Sequence, residues 1–158
     1  MSPTLLPVLQ KHPFVADFPP EHVALLATLA RQVHFNPGQV IFHLGDEYSV
    51  FYLLGEGMVA LELEAPDHVL RVQTLYAGDE LDWSAVLPKA GKHFQARALS
   101  PVTALAFEGE QLLETFKRHP EFGLAFMLRL MVVVSERLRA TQVQLLDMYS
   151  PVAKRAGT

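Results

Sequence analysis

Phe51-Tyr52-Leu53-Leu54-Gly55-Glu56-Gly57-Met58-Val59 is the stretch whose reading decides the fold. An apolar run rich in aromatic residues meets Gly55-Glu56-Gly57, and a second apolar run follows at once. Glycine accepts backbone conformations that let a chain reverse, so the pattern reads as strand, hairpin turn, strand. The second run, Met58–Leu63, alternates: Val59, Leu61 and Leu63 fall on one face, and Ala60, Glu62 and Glu64 on the other. That is the period of a strand with one face buried, and it assigns Glu62 and Glu64 to an ordinary polar face.

The same grammar extends outward in both directions. Val40-Ile41-Phe42, Val50–Leu54, Val69–Tyr76, Phe94–Leu99 and Val102–Phe107 are further short β-type runs. Asn36-Pro37-Gly38, Gly45-Asp46, Pro66-Asp67, Ala77-Gly78-Asp79 and Ser100-Pro101 separate them. Many short strands at regular spacing predict a mainly β fold, an antiparallel β-roll or jelly roll over about residues 36–107.

Helical patterns flank the roll. The segment Met1–Phe35 reads as helical: Pro19-Pro20 marks a start, Glu21 suits the first turn, and Val23, Leu26, Leu29, Ala30 and Val33 keep helical spacing. After the roll, Glu108–His119 predicts a helix ended by Pro120, and a long helix then spans about 121–149 to a stop at Ser150-Pro151. A helix of that length is about 44 Å long, more than one small roll can cover. Along it, Met127, Met131, Val134, Leu138, Thr141, Leu145 and Met148 are spaced 4-3-4-3-4-3, the signature of a helix–helix seam. A rod projecting past its domain must bury such a stripe, which predicts a homodimer through this helix. Residues 1–149 read as one domain and 150–158 as a short flexible tail.

Composition narrows the function. The chain has 158 residues, a formal net charge of −4, 50% apolar residues and no cysteine. The length favours a single domain. The absence of cysteine excludes thiolate metal sites, iron–sulfur clusters and thiol redox chemistry. Mild acidity argues against coating nucleic acid. Met1–Pro7 lacks the basic flank and apolar core of a secretory signal. No apolar run exceeds five residues, against about 20 for a membrane span. A cytoplasmic protein is expected.

The ordered set Phe35-Asn36-Pro37-Gly38-Gln39-Val40-Ile41-Phe42, Gly45-Asp46 and Phe51–Val59, followed by a short and then a long helix, resembles the cyclic-nucleotide-binding domain of the Crp/Fnr family, a cupin-like β-roll. The resemblance covers about Leu5–Tyr149. It implies that the long helix dimerises and that a helix-turn-helix domain follows it. Here only nine residues follow, Ser150–Thr158, with Lys154-Arg155 as their one basic spot. A free-standing regulatory or sensor module without direct DNA contact is therefore expected.

Family members that bind cAMP use a Gly-Glu-Leu segment, whose carboxylate meets the ribose, and an Arg-Ser or Arg-Thr pair that holds the cyclic phosphate. Aligned on Gly78-Asp79 and on Ala96-Arg97-Ala98, the first falls on Asp82-Trp83-Ser84 and the second on Lys92-His93. Trp83 donates but cannot accept, Lys92 is a point charge rather than a planar fork, and His93 stands in place of the Ser or Thr. Three departures together imply that the cyclic-nucleotide function is lost or altered. The candidate pocket is Asp82, Trp83, Ser84, Lys92 and His93. In a second register Glu80-Leu81 supplies the Glu-Leu and Arg97 the phosphate group. The first register instead makes Arg97 a strand residue facing solvent or an acidic neighbour. Trp83 reads either as a plug in a vacated pocket or as a stacking platform for a planar ligand. Lys89 and Lys92 are solvated or form an anion site, and His93 would make binding pH-dependent.

Other chemistry is weak. The seven histidines form no His-x-His pair, and no metal site is expected. No nucleophile elbow, P-loop or dinucleotide fingerprint occurs. Asp79, Glu80 and Asp82 read as a solvated acidic loop, so the protein is expected not to be an enzyme. The open ligand classes are a cyclic nucleotide or another small anion; the open partners are a second copy and another protein. A ligand-free interaction module, its pocket plugged by Trp83, is the alternative.

Overall fold

The computed structural model describes residues 5–46, 49–87 and 94–157, with side chains through residue 149. Two short helices, α1 (Leu5–Gln10) and α2 (Pro20–Ala27), lead into eight strands. These are β1 (Arg31–Phe35), β2 (Val40–Phe42), β3 (Val50–Glu56), β4 (Val59–Glu64), β5 (Val69–Leu75), β6 (Glu80–Leu81), β7 (Gln95–Ala98) and β8 (Val102–Glu108). Helices α3 (Gly109–Arg118) and α4 (Pro120–Gly157) complete the order. The strands form two four-stranded sheets, β1-β8-β3-β6 and β2-β7-β4-β5, with every pairing antiparallel. The predicted β-roll with flanking helices is the fold.

Strand β3 shows why its sequence is apolar without alternation. Val50, Tyr52 and Leu54 point between the sheets, while Phe51 and Leu53 point to the helices. Both faces of this central strand are buried. Its hairpin depends on Gly57, which has φ +93°; a Cβ there would lie 2.3 Å from the Pro101 carbonyl oxygen. No side chain fits that approach.

Two cores result. Between the sheets lie Tyr52, Leu54, Val59, Leu61, Leu75 and Leu81 with four alanines, Ala96, Ala98, Ala104 and Ala106. On the outer face of the β1-β8-β3-β6 sheet, Phe14, Phe51, Phe107, Phe122 and Phe126 join Leu9, Leu26 and Leu112. The rings meet edge-on or tilted, at centroid distances such as 5.2 Å for Phe14–Phe126 and 5.4 Å for Phe51–Phe126, the geometry aromatic quadrupoles favour.

Three expectations are corrected. The N-terminal segment is not helical to Phe35: residues 31–35 are strand β1, paired with β8 from Arg31↔Ala106 to Phe35↔Val102. Val33 continues the helical spacing by coincidence and packs between the sheets. Glu62 does not face solvent. It is 8% exposed, accepts from Gln95 Nε2 at 3.0 Å and from Arg97 Nε at 3.1 Å, and sits beside a register shift in the β4–β5 pairing. Finally, α4 does not stop at Ser150-Pro151 but runs to Gly157. A proline disfavours helix at the preceding residue without forbidding it. At 1.5 Å per residue the helix is about 57 Å long.

The inner stripe of α4 is Phe122, Phe126, Leu130 and Val133, all buried. The stripe singled out in the sequence lies one position further on and points outward. Met127, Met131, Leu138, Leu145 and Met148 are exposed, with Met131 at 67% and Leu138 at 58%, and Val134 is intermediate. Three side chains pin α4 to the rest of the domain through main-chain carbonyls. Arg129 Nε donates to Phe14 O at 3.1 Å, Arg137 to Glu80 O, and Gln144 Nε2 to Val72 O at 3.1 Å.

Candidate ligand site

The segment from residue 76 to 87 carries most of the candidate residues, and local bonds fix its shape. Tyr76 N donates to Asp79 Oδ2 at 2.8 Å, which closes the turn after β5. Gly78 N donates to Leu54 O and Leu54 N to Asp79 O, each at 2.9 Å, which ties this turn to the end of β3. Glu80 and Leu81 then form β6, opposite Leu53 and Tyr52. Asp82 follows with φ +67°, the left-handed conformation that glycine adopts freely and other residues rarely do. Ser84 Oγ donates to Asp82 Oδ1 at 2.7 Å, and residues Trp83–Val86 make one 3₁₀ turn. The first residue of α3 packs on that turn; a Cβ at Gly109 would meet the Ala85 carbonyl oxygen at 2.2 Å.

The structure brings Asp82, Trp83 and Ser84 around one small cavity of about 20 Å³. Phe42, Leu61, Leu81 and Phe94 line its roll side, and Arg137 of α4 closes it. The remaining candidates, Lys92 and His93, lie outside the described residues, as does Lys89. Trp83 is only partly buried and leans against the helix-side aromatic core, so it stands between that core and the cavity.

Arg137 is the residue the sequence reading missed. Its side chain is 15% exposed; it donates to the Glu80 carbonyl oxygen and reaches within 3.9 Å of Glu80 Oε2. Burial pushes the Glu80 carboxyl above its ordinary value, and Arg137 opposes that push. Burial likewise draws the Arg137 pKa down, opposed by Glu80 and Asp79. The expected solvated loop at Asp79, Glu80 and Asp82 is thus corrected: Glu80 and Asp82 are buried. One signal was available. Arg137 continues the inner stripe of α4, four residues after Val133, where an exposed charge does not belong.

Arg97 faces away from this cavity. Its strand neighbours Ala96 and Ala98 fill the space between the sheets, while Arg97 bonds Glu62 and the Gly38 carbonyl oxygen on the opposite face. Among the described residues no group of three or more His, Asp or Glu is placed to hold a metal ion, and no helix is long and apolar enough to cross a membrane.

The two sheets form an antiparallel roll whose short β6 and 3₁₀ turn are closed off by the C-terminal helix. Residues 32–119, more than half of the chain, match the cyclic nucleotide-binding domain model, and the chain belongs to that family. A putative cyclic nucleotide-binding protein from Geobacter metallireducens is similar at 25% identity and TM-score 0.74, over 87% of this chain and 98% of that one. The N-terminal domain of a transcriptional regulator from Streptomyces coelicolor is 25% identical, with TM-score 0.68, over 88% and 95%. A cyclic nucleotide-binding domain from Methylobacillus flagellatus shares the fold at 17% identity and TM-score 0.79, over 91% and 82%. No curated protein matches the sequence.

Proposed function

We propose that the protein is a non-enzymatic cytoplasmic sensor module in which the pocket at residues 80–84 takes a small anionic ligand and α4 reports its occupancy to a second copy. The observation that carries this is Arg137, which lines the pocket, holds β6 at Glu80 and belongs to α4. A ligand competing for that guanidinium would change what holds the helix, and differential affinity for two helix arrangements is what a switch needs. The left-handed Asp82 supports the register that places it at the glycine of the Gly-Glu-Leu segment. Trp83 then replaces the ribose-binding carboxylate, and Lys92-His93 the phosphate pair. The expected consequence is lost or altered cAMP specificity.

Thermal unfolding tests the reading. Millimolar cAMP or cGMP should leave the melting point unchanged, and a screened phosphate-bearing metabolite should raise it in the native protein but not in Arg137→Met. A ligand at 100 times its Kd stabilises by about 2.7 kcal/mol. A rise of several degrees with cAMP would show an intact cassette and overturn the altered specificity.

The outward stripe of α4 supports the homodimer. Met131, Leu138, Leu145 and Met148 form an exposed apolar line that a symmetric copy would cover. Leu138→Glu should give a monomer in light scattering; an unchanged dimer would overturn this interface.

A second reading has its own observation. The cavity holds about 20 Å³, room for about one water. In a ligand-free interaction module, with Trp83 as plug, Trp83 fluorescence would be blue-shifted and insensitive to quencher, and no metabolite would move the melting point.

A further inference from the structure

A second cavity, larger than the one at residues 80–84, opens at the roll surface. It lies on the far side of the Gly78 turn, between α1 and the lower edge of the β1-β8-β3-β6 sheet, and encloses about 310 Å³. Ligand sites start at about 300 Å³. Its origin is local. The β3–β8 pairing shifts register between Leu54 and Glu56, and the residue in the bulge is Gly55. With no side chain there, and with α1 ending at Gln10, a stretch of sheet remains uncovered. Pro7, Val8 and Pro13 supply the exposed apolar walls, and Thr103 lies beside Gly55 at the base. His12 closes one end with both ring nitrogens engaged: Nδ1 accepts from Phe14 N at 3.1 Å, which leaves Nε2 to donate to Leu54 O at 3.1 Å. Lys11 is then the one charged side chain among the described residues lining the cavity, and no carboxylate is among them.

We infer that this cavity is a second binding site, for a small amphiphile with an apolar chain and a single anionic head, the chain lying against Pro7, Val8 and Pro13 and the head at Lys11. Walls that are mostly apolar with one placed polar group are how such ligands are oriented. The site is separate from the pocket at residues 80–84, and no described residue lines both; Gly78 and Leu54, which line this cavity, are hydrogen-bonded to each other ahead of β6.

Titration of the full chain with sodium octanoate, followed by calorimetry and amide NMR, tests the site. Binding should saturate, with shifts at Lys11, Gly55 and Thr103. Val8→Trp, an exposed position, should abolish it. Lys11→Glu should weaken octanoate several-fold, as expected of a solvent-accessible ion pair, and leave octan-1-ol unchanged. Four outcomes would overturn the proposal: no saturable binding, binding that Val8→Trp leaves intact, shifts confined to residues 131–148 of α4, or an octanoate affinity indifferent to Lys11→Glu. The NMR mapping uses the unmutated protein and decides the question even if a variant fails to fold.

Discussion

The two cores of this domain are built from opposite materials. The helix-side core stacks Phe14, Phe51, Phe107, Phe122 and Phe126, whereas the inter-sheet core places Ala96, Ala98, Ala104 and Ala106 among its aliphatic side chains. Large rings bury much apolar area and interlock, so α4 is anchored at its N-terminal half. Small side chains bring strands together with little area at stake per residue. The candidate ligand site lies at the boundary, with Leu61 and Leu81 from one core and Trp83 leaning on the other. The site therefore borders both cores, with the ring-built one on its Trp83 side.

The largest effect expected is in the aromatic core. Phe126→Ala should cost about 3–5 kcal/mol, the usual range for a fully buried phenylalanine. At roughly 2–4 °C per kcal/mol, calorimetry should show a melting point lower by about 10 °C. A loss of only a degree or two would erase the distinction between the cores. Ala104→Leu probes the other side. Overpacking should cost about 1–3 kcal/mol, and a cost as large as that of Phe126→Ala would show the inter-sheet core to be the tighter of the two.

The smallest effect is one of pH. Burial holds the His12 pKa below its ordinary 6.5. The folded state therefore binds fewer protons than the unfolded chain, so the contribution is complete above pH 6.5 and is lost as the pH falls through the folded value. His12→Asn keeps an acceptor for Phe14 N and removes the titration. Its stability should be flatter than the parent's between pH 6.5 and 5; an equal slope would show that His12 is not responsible.

The strands with β-type runs were legible, because turn residues bracket each of them. Two were not. Strand β1 follows a helix, and Val33 sits where the helical period expects an apolar residue; only its pairing with β8 distinguishes the two. Strand β6 is two residues long and carries Glu80, so its alternation has no length in which to appear. At the site, Asp82, Trp83 and Ser84 were legible through their place after the Gly78 turn. Arg137 was not, since a charge on a helix normally reads as solvated and its partner is a main-chain carbonyl 57 residues away in sequence. Glu62 failed for a related reason: alternation assigns a face, but Arg97 and Gln95, which cover it, arrive from β7.

The three anchors of α4 have a consequence for how the protein tolerates change. Each ends on a main-chain oxygen, at Phe14, Glu80 and Val72. Any amino acid presents that oxygen, so these bonds do not themselves select the side chain at the accepting positions; the core packing of Phe14 and the approach of the Glu80 carboxylate to Arg137 constrain two of them separately. The information for the docking is held by the donors, Arg129, Arg137 and Gln144, and genetic variation that re-aims α4 would arise there first.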